Sequence, residues 1–257
     1  MSVVTVTVAE AVATVTLNRP EKLNALNLAM WLGLIQAFAD IDAQSGLRSV
    51  VLRGAGGHFA AGADLAEFQA ERWTTDQAVK YGEVMIGALL AIRDCPLPTV
   101  AAIEGNCIGG GLEIAALCDL RLAAPDARFG VPIQKIGVTM PYPELKELTT
   151  LLGRATMLEL LLEGSIHDAD WAYAKGLVTR ICKAGEMELA LSELLKRICA
   201  GSPLSHRNHK VMTRRCQEAD MLTPAEIHAG YAACEAADYR EGITAFLAKR
   251  RPVFSGN

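Results

Sequence analysis

No sustained run of basic residues occurs in this sequence: 25 lysines and arginines are outnumbered by 29 aspartates and glutamates, for a net charge of −4. Gripping a phosphate backbone takes a concentrated positive field, so a general nucleic-acid binder is excluded. A small anionic ligand needs only a few local cations and stays compatible. No CxxC pair is present. The seven cysteines (95, 107, 118, 182, 199, 216 and 234) are odd in number and scattered. Most lie in apolar stretches, where cysteine acts as a small hydrophobe, and a reducing compartment is expected. No apolar run is long enough to span a bilayer, since polar amides break the longest uncharged segment, Leu23 to Ala39. The sequence opens with neither a basic n-region nor an apolar h-region. These absences predict a cytoplasmic protein with no membrane partner. There is no GxSxG elbow, no P-loop and no GxGxxG; in Gly54-Ala-Gly-Gly, Phe59 stands where the third glycine belongs. His206 and His209 form an HxxH, but five lysines and arginines crowd Arg197 to Arg215, so a solvated face is expected there and no metal.

What is present is 51% hydrophobic residues, enough for a full core. Residues 3–17 alternate as a β-hairpin does, with a break near Ala9-Glu10-Ala11. Asn24 to Ala43 reads as an amphipathic helix. Apolar strands at Ser49–Leu52 and Val100–Ile103 each run into a glycine-rich turn, and helices follow at about Thr75–Arg93 and Leu112–Cys118. A third short strand is expected at Leu120–Leu122. Strand, glycine turn and helix in repetition predict an α/β protein with largely parallel strands. The last third reads as helical: Pro143 to Leu162 is leucine-rich, Ser165-Ile-His-Asp168 resembles a capping box, and Thr223-Pro-Ala-Glu226 is a stronger one. Residues 1–195 are expected to form the core and 196–257 a helical layer suited to oligomerisation.

Two segments carry candidate chemistry, His58-Phe-Ala-Ala-Gly-Ala-Asp64 and Glu104-Gly-Asn-Cys-Ile-Gly-Gly-Gly-Leu-Glu113. Small residues at a strand end either let chains pack closely or bare backbone N–H groups to a ligand oxygen. Two such turns on adjacent strands could aim two N–H groups at one oxygen, the layout of an oxyanion hole. Glu113 has two readings as well. With Gly110 as N-cap it complements the helix dipole at the third helical position; buried among its apolar flanks, it has a raised pKa and suits proton transfer.

Four segments in order resemble the crotonase superfamily, the enoyl-CoA hydratase/isomerase family, over essentially the whole chain. They are Asn18-Arg-Pro-Glu-Lys-Leu-Asn-Ala-Leu-Asn27, Phe59-Ala-Ala-Gly-Ala-Asp-Leu65, Glu104 to Ile114 with Cys118-Asp119, and Asp238 to Arg250. The resemblance implies a ClpP-like spiral of ββα units with a C-terminal helical trimerisation region, assembled as a homotrimer or dimer of trimers. It implies a coenzyme A thioester as substrate and no permanently bound cofactor. It places the thioester oxygen on the Ala63 and Gly110 N–H groups and the CoA path along Lys22, Leu23, Ala25, Ala61, Asp64 and Leu65. Phe246 and Lys249 match positions that reach the CoA end of a neighbouring subunit's site. Glu113 matches the first of the two glutamates of hydratases. The second normally follows the proline of FG-x-P, where this chain has Ile133. Either Glu113 serves alone, or Tyr142, Glu144 or Glu147 from the altered loop after Thr139 reaches inward. Besides hydration or isomerisation, decarboxylation, thioester hydrolysis and acyl-CoA binding without turnover are compatible with an oxyanion hole and one acid.

Overall fold

The structure, a computed structural model, describes residues 2–257. The alternating N-terminal segment forms an antiparallel pair, β1 (Val4–Ala9) and β2 (Val12–Leu17), turned at Glu10 with a φ of 53°. A parallel run follows from β2 through β3 (Ser49–Gly54) and β4 (Thr99–Ile103). A short β5 (Asn106–Ile108) then precedes β6 (Leu120–Ala123). β7 (Arg128–Gly130) pairs with β5 in a separate parallel sheet, and β8 (Arg180–Ile181) adds to β6. The main sheet therefore has six strands in the order β1-β2-β3-β4-β6-β8, antiparallel only at β1–β2. Strand, offset strand and helix recur along the chain, as expected for a spiral of ββα units.

Ten α-helices occur among the described residues. They are α1 (Leu28–Asp42), α2 (Phe68–Glu71), α3 (Thr75–Asp94), α4 (Gly110–Leu117) and α5 (Tyr142–Leu158). α6 (Ala169–Ala174), α7 (Met187–Cys199), α8 (Pro203–Arg215), α9 (Pro224–Tyr231) and α10 (Ala237–Leu247) follow. The strands alternate between two cores, because successive side chains point to opposite faces. Val50, Leu52, Ala101, Ile103 and Ala123 pack toward α1, α3 and α4, whereas Val51, Val100, Ala102 and Leu122 pack against Met187, Leu191 and Leu194 of α7. Covering both faces is why β4 is apolar at every position after Thr99. Each fully buried aliphatic side chain contributes about 1.5–3 kcal/mol.

Local chemistry sets the helix ends. Asn27 Oδ1 accepts from Met30 N at 3.0 Å to start α1, later than the expected Asn24. The Thr223–Glu226 capping box is present as read from the sequence. Ser165 is not an N-cap: Asp168 holds that place and accepts from Trp171 N. Nor is the leucine-rich segment one helix. Gly153, at φ 74° and ψ 159°, kinks α5, and the chain leaves through a wider turn at Glu159–Glu163 closed by Gly164. Arg48 donates to Gly201 O and Phe254 O, and Lys210 pairs with Asp119 at 2.6 Å, tying the last helices to the sheet layer. Cys95, Cys107, Cys118 and Cys182 are buried free thiols, and burial pushes Cys118 up to about 12. Among the described residues no helix is long and apolar enough to cross a membrane, and no cluster of His, Cys, Asp or Glu could hold a metal ion.

Candidate active site

The site begins where two loops are laced together. Asn24 is fully buried at φ 57°, a conformation asparagine tolerates better than most residues. Its Nδ2 donates to Ala55 O at 2.8 Å and His58 O at 2.7 Å, and its Oδ1 accepts from Arg19 N at 2.9 Å. The segment after His58 is thereby laid along residues 23–26. Ala61 N donates to Leu23 O, Leu26 N to Gly62 O, and Asp64 N to Leu26 O. This lacing uses the N–H groups of Ala61 and Asp64 but not that of Ala63, which has no acceptor among the described residues. Arg19 pairs with the Asp64 carboxylate at 2.9 Å and holds its pKa below the usual range.

The glycine triplet supplies the second donor. Gly109 sits at φ 52° and ψ −121°, where a Cβ would be strained, and its N–H donates to Gly130 O at 2.9 Å. A Cβ on Gly111 would stand 2.8 Å from both Ala60 Cβ and Ala60 O, so only glycine lets α4 start this close to the first turn. Both readings of the small residues hold together: close packing is what brings the two turns side by side. The Gly110 N–H, at the first position of α4, likewise has no acceptor among the described residues. The N-cap is Gly109 rather than Gly110, so Glu113 lies one position deeper than the dipole reading required. It is 6% exposed.

Ala63 and Gly110 face a cavity of about 350 Å³, lined also by Ala61, Leu65, Ile133, Glu113 and Glu144. Glu144 is 6% exposed on the first turn of α5, on the same helix face as buried Leu148 and Leu152. Glu113 Oε2 and Glu144 Oε1 are both buried without a hydrogen-bond partner among the described residues. Burial pushes both carboxyls well above the ordinary glutamate range, and the Glu144 carboxyl raises Glu113 further. Arg72, half-buried at the end of α2, offsets part of this for both acids. Its guanidinium lies 4.6 Å from the Phe68 ring centre and 5.1 Å from that of Tyr81, whose hydroxyl burial pushes up to about 12. Two adjacent N–H donors can hold an oxygen as negative charge develops on it, each being worth roughly 2.7–4 kcal/mol in a transition state. Two neighbouring acids whose pKa values are raised toward neutrality can take one proton and give another.

The other candidates divide. Ile133 lines the cavity as an apolar wall. Tyr142 does not enter it: the side chain is 88% exposed and borders a neighbouring cavity of about 450 Å³, because its position at the start of α5 faces away from the Leu148 stripe. Glu147 pairs with Arg93 at 2.8 Å on that same outer side. Lys22 and Leu23 are exposed on the loop laced to Ala61, and Ala25 is half-buried beside them. Phe246 is 80% exposed and Lys249 exposed, with neither lining the cavity of their own chain. His206 and His209 lie on α8 away from this cavity. The sequence reading missed Arg72 and Tyr81, which belong to no motif. A pointer to Glu144 was present, namely an acid four residues before Leu148 on an apolar stripe.

Comparison with known proteins places the fold and the family. A chain from Magnetospirillum magneticum, described as an enoyl-CoA hydratase/carnithine racemase, superposes with a TM-score of 0.98 at 48% identity, covering 100% of this chain and 97% of its own. An enoyl-CoA hydratase from Mycobacterium smegmatis superposes at 0.91 with 31% identity over 98% of both chains. The short-chain-enoyl-CoA hydratase of Clostridium acetobutylicum is 30% identical over 243 residues, 93% of this chain and 92% of its own. Residues 7–257 match the enoyl-CoA hydratase/isomerase family, and with the crotonase fold and the two glycine-built turns in place, the chain belongs to that family.

Proposed function

We propose that the protein is a lyase/isomerase acting on the CoA thioester of an unsaturated acid, with hydration of a 2-enoyl-CoA as its main reaction. The observation that carries this reading is the burial of Glu113 and Glu144 in one cavity with the unpartnered N–H groups of Ala63 and Gly110. The thioester oxygen sits on those two donors. The ionised member of the acid pair takes a proton from water as its oxygen bonds to Cβ, and the electron pair moves onto the thioester oxygen as an enolate. The protonated member delivers its proton to Cα as the enolate collapses. One proton enters the pair and one leaves, so its charge is unchanged. Isomerisation uses the same parts: the base removes an α-proton and the acid returns one at the γ-carbon.

Glu144 takes the place left by Ile133, so a single-acid mechanism is unnecessary. The CoA moiety runs along Lys22, Leu23, Ala25, Ala61, Asp64 and Leu65, and Phe246 and Lys249 reach it from a neighbouring subunit of a homotrimer or dimer of trimers. Crotonyl-CoA tests the reading through loss of enone absorbance. Turnover by the wild type, with a drop of about 100-fold or more in both Glu113→Gln and Glu144→Gln, is expected. Full activity in Glu144→Gln returns the chemistry to Glu113 alone. Binding of crotonyl-CoA with neither turnover nor α-proton exchange refutes enzymatic action on this class.

A further inference from the structure

The Arg72 guanidinium has no carboxylate or carbonyl partner among the described residues. Every other arginine of the described residues that is not exposed donates to a carboxylate or to main-chain carbonyls. Examples are Arg19 to Asp64, Arg53 to Glu104 and Glu188, Arg93 to Asp94 and Glu147, and Arg121 to the carbonyls of Leu177 and Cys118. Arg72 is half-buried, and its side chain forms neither a hydrogen bond nor an ion pair with any described residue. Its guanidinium lies over the rings of Phe68 and Tyr81 and lines the same cavity as Ala63, Gly110, Glu113 and Glu144.

A guanidinium stays charged at every relevant pH, and removing it from water without a counter-ion is costly. Aromatic faces recover only part of that cost. The two acids nearby feel its charge but do not pair with it directly, since Glu113 Oε2 and Glu144 Oε1 have no hydrogen-bond partner among the described residues. The fork of Arg72 is therefore vacant toward the cavity, and its five N–H donors match a carboxylate bidentately. The remainder of the wall is mostly apolar, with Trp31, Met85, Ile108, Ile133 and Met140, so a neutral hydrocarbon tail would leave the charge unmet.

We propose that Arg72 receives a carboxylate carried on the acyl group, making the enzyme selective for CoA thioesters of dicarboxylic acids over neutral acyl groups of equal length. This rests on the thioester oxygen lying at Ala63 and Gly110, as proposed above. The acyl group then runs from those donors past the acid pair toward the Phe68–Tyr81 wall, and the carboxylate replaces water on the guanidinium. Arg72 selects the substrate and takes no part in proton transfer.

Two enoyl thioesters of the same chain length separate the possibilities: (E)-glutaconyl-CoA, with a terminal carboxylate, and (E)-2-pentenoyl-CoA, with a methyl group there. The wild type is expected to show at least a tenfold higher kcat/KM for glutaconyl-CoA. In Arg72→Met the ratio of the two kcat/KM values should fall on the order of 100-fold, mostly through KM, and Arg72→Lys should recover part of it. An equal ratio in the wild type, or parallel loss on both esters with a displaced pH profile in Arg72→Met, overturns the proposal and leaves Arg72 as a tuner of the acids. The wild-type comparison needs no variant and decides the matter even if Arg72→Met fails to fold. Absence of turnover on both esters overturns the underlying enzymatic reading, whereas turnover of pentenoyl-CoA without preference overturns only the role of Arg72.

Discussion

Glu113 and Glu144 differ from the other acids of the chain in having little water and no donor to stabilise their charge. Both bind protons more tightly in the folded chain than in the unfolded one. Between the ordinary glutamate range and the raised values, the folded state therefore holds more protons, and stability falls as pH rises through that window. Glu113→Gln removes this liability. Its melting temperature should exceed that of the wild type by about 2–6 °C at pH 8, with the difference vanishing near pH 4, as differential scanning calorimetry would read. The proposed mechanism has one acid protonated and the other ionised, so kcat/KM should trace a bell centred near neutrality rather than at about pH 4–5, where exposed carboxyls titrate. A profile flat from pH 5 to 9 would contradict the pairing. The glycine triplet and Glu113 were legible in the sequence because each breaks a local rule, glycines in an apolar run and an acid on a buried helix. Arg72 breaks none; only the folding of Phe68 and Tyr81 beneath it makes it unusual.

The helix α4 is positioned from both ends. At its start, Gly111 lies against Ala60; at its finish, the buried Arg121 donates from Nε to Leu177 O at 2.6 Å and from Nη1 to the carbonyls of both Ala116 and Cys118. A cation there satisfies the last carbonyls and complements the negative end of the helix dipole. Arg121→Met should cost about 3 kcal/mol in urea unfolding, since several buried carbonyls lose their donor. Gly111→Ala acts at the other end. It pushes α4 off Ala60 and moves the Gly110 donor, so kcat on crotonyl-CoA should fall at least tenfold while thioester binding by calorimetry changes far less. The parallel order of β3 and β4 was legible because fully apolar strands ending in glycine turns have few other solutions; β2, which alternates and ends at Leu17 without a glycine turn, was legible only as half of a hairpin. The inward turn of Glu144 was not, because the loop from Thr139 to Pro143 sets where α5 begins and a shift of one residue would rotate that carboxyl out of the cavity.

At the scale of the whole molecule, the C-terminal region carries more apolar surface than a lone chain needs: Tyr231, Phe246, Leu247 and Val253 are each at least 75% exposed. Assembly as a homotrimer or dimer of trimers would cover it and complete the CoA end of the site. Light scattering should give three or six times the 27.5 kDa of one chain. Phe246→Asp should loosen the assembly and raise KM for crotonyl-CoA, and Lys249→Ala should raise KM within an intact assembly. A monomer with an unaltered KM would separate the helical tail from the thioester site altogether.

The wall formed by Glu113 and Glu144 has two sides, for both acids also line the neighbouring cavity of about 450 Å³ whose edge carries the exposed Tyr142. Buried as the two carboxyls are, this second cavity gives water a route to them from behind when a thioester fills the front, as in the proposed mechanism. Their protons can trade with bulk solvent without the ligand leaving, so hydrogen isotope scrambling at Cα is uncoupled from product departure. Unreacted 3-hydroxybutyryl-CoA recovered from deuterium oxide should already be labelled at that carbon.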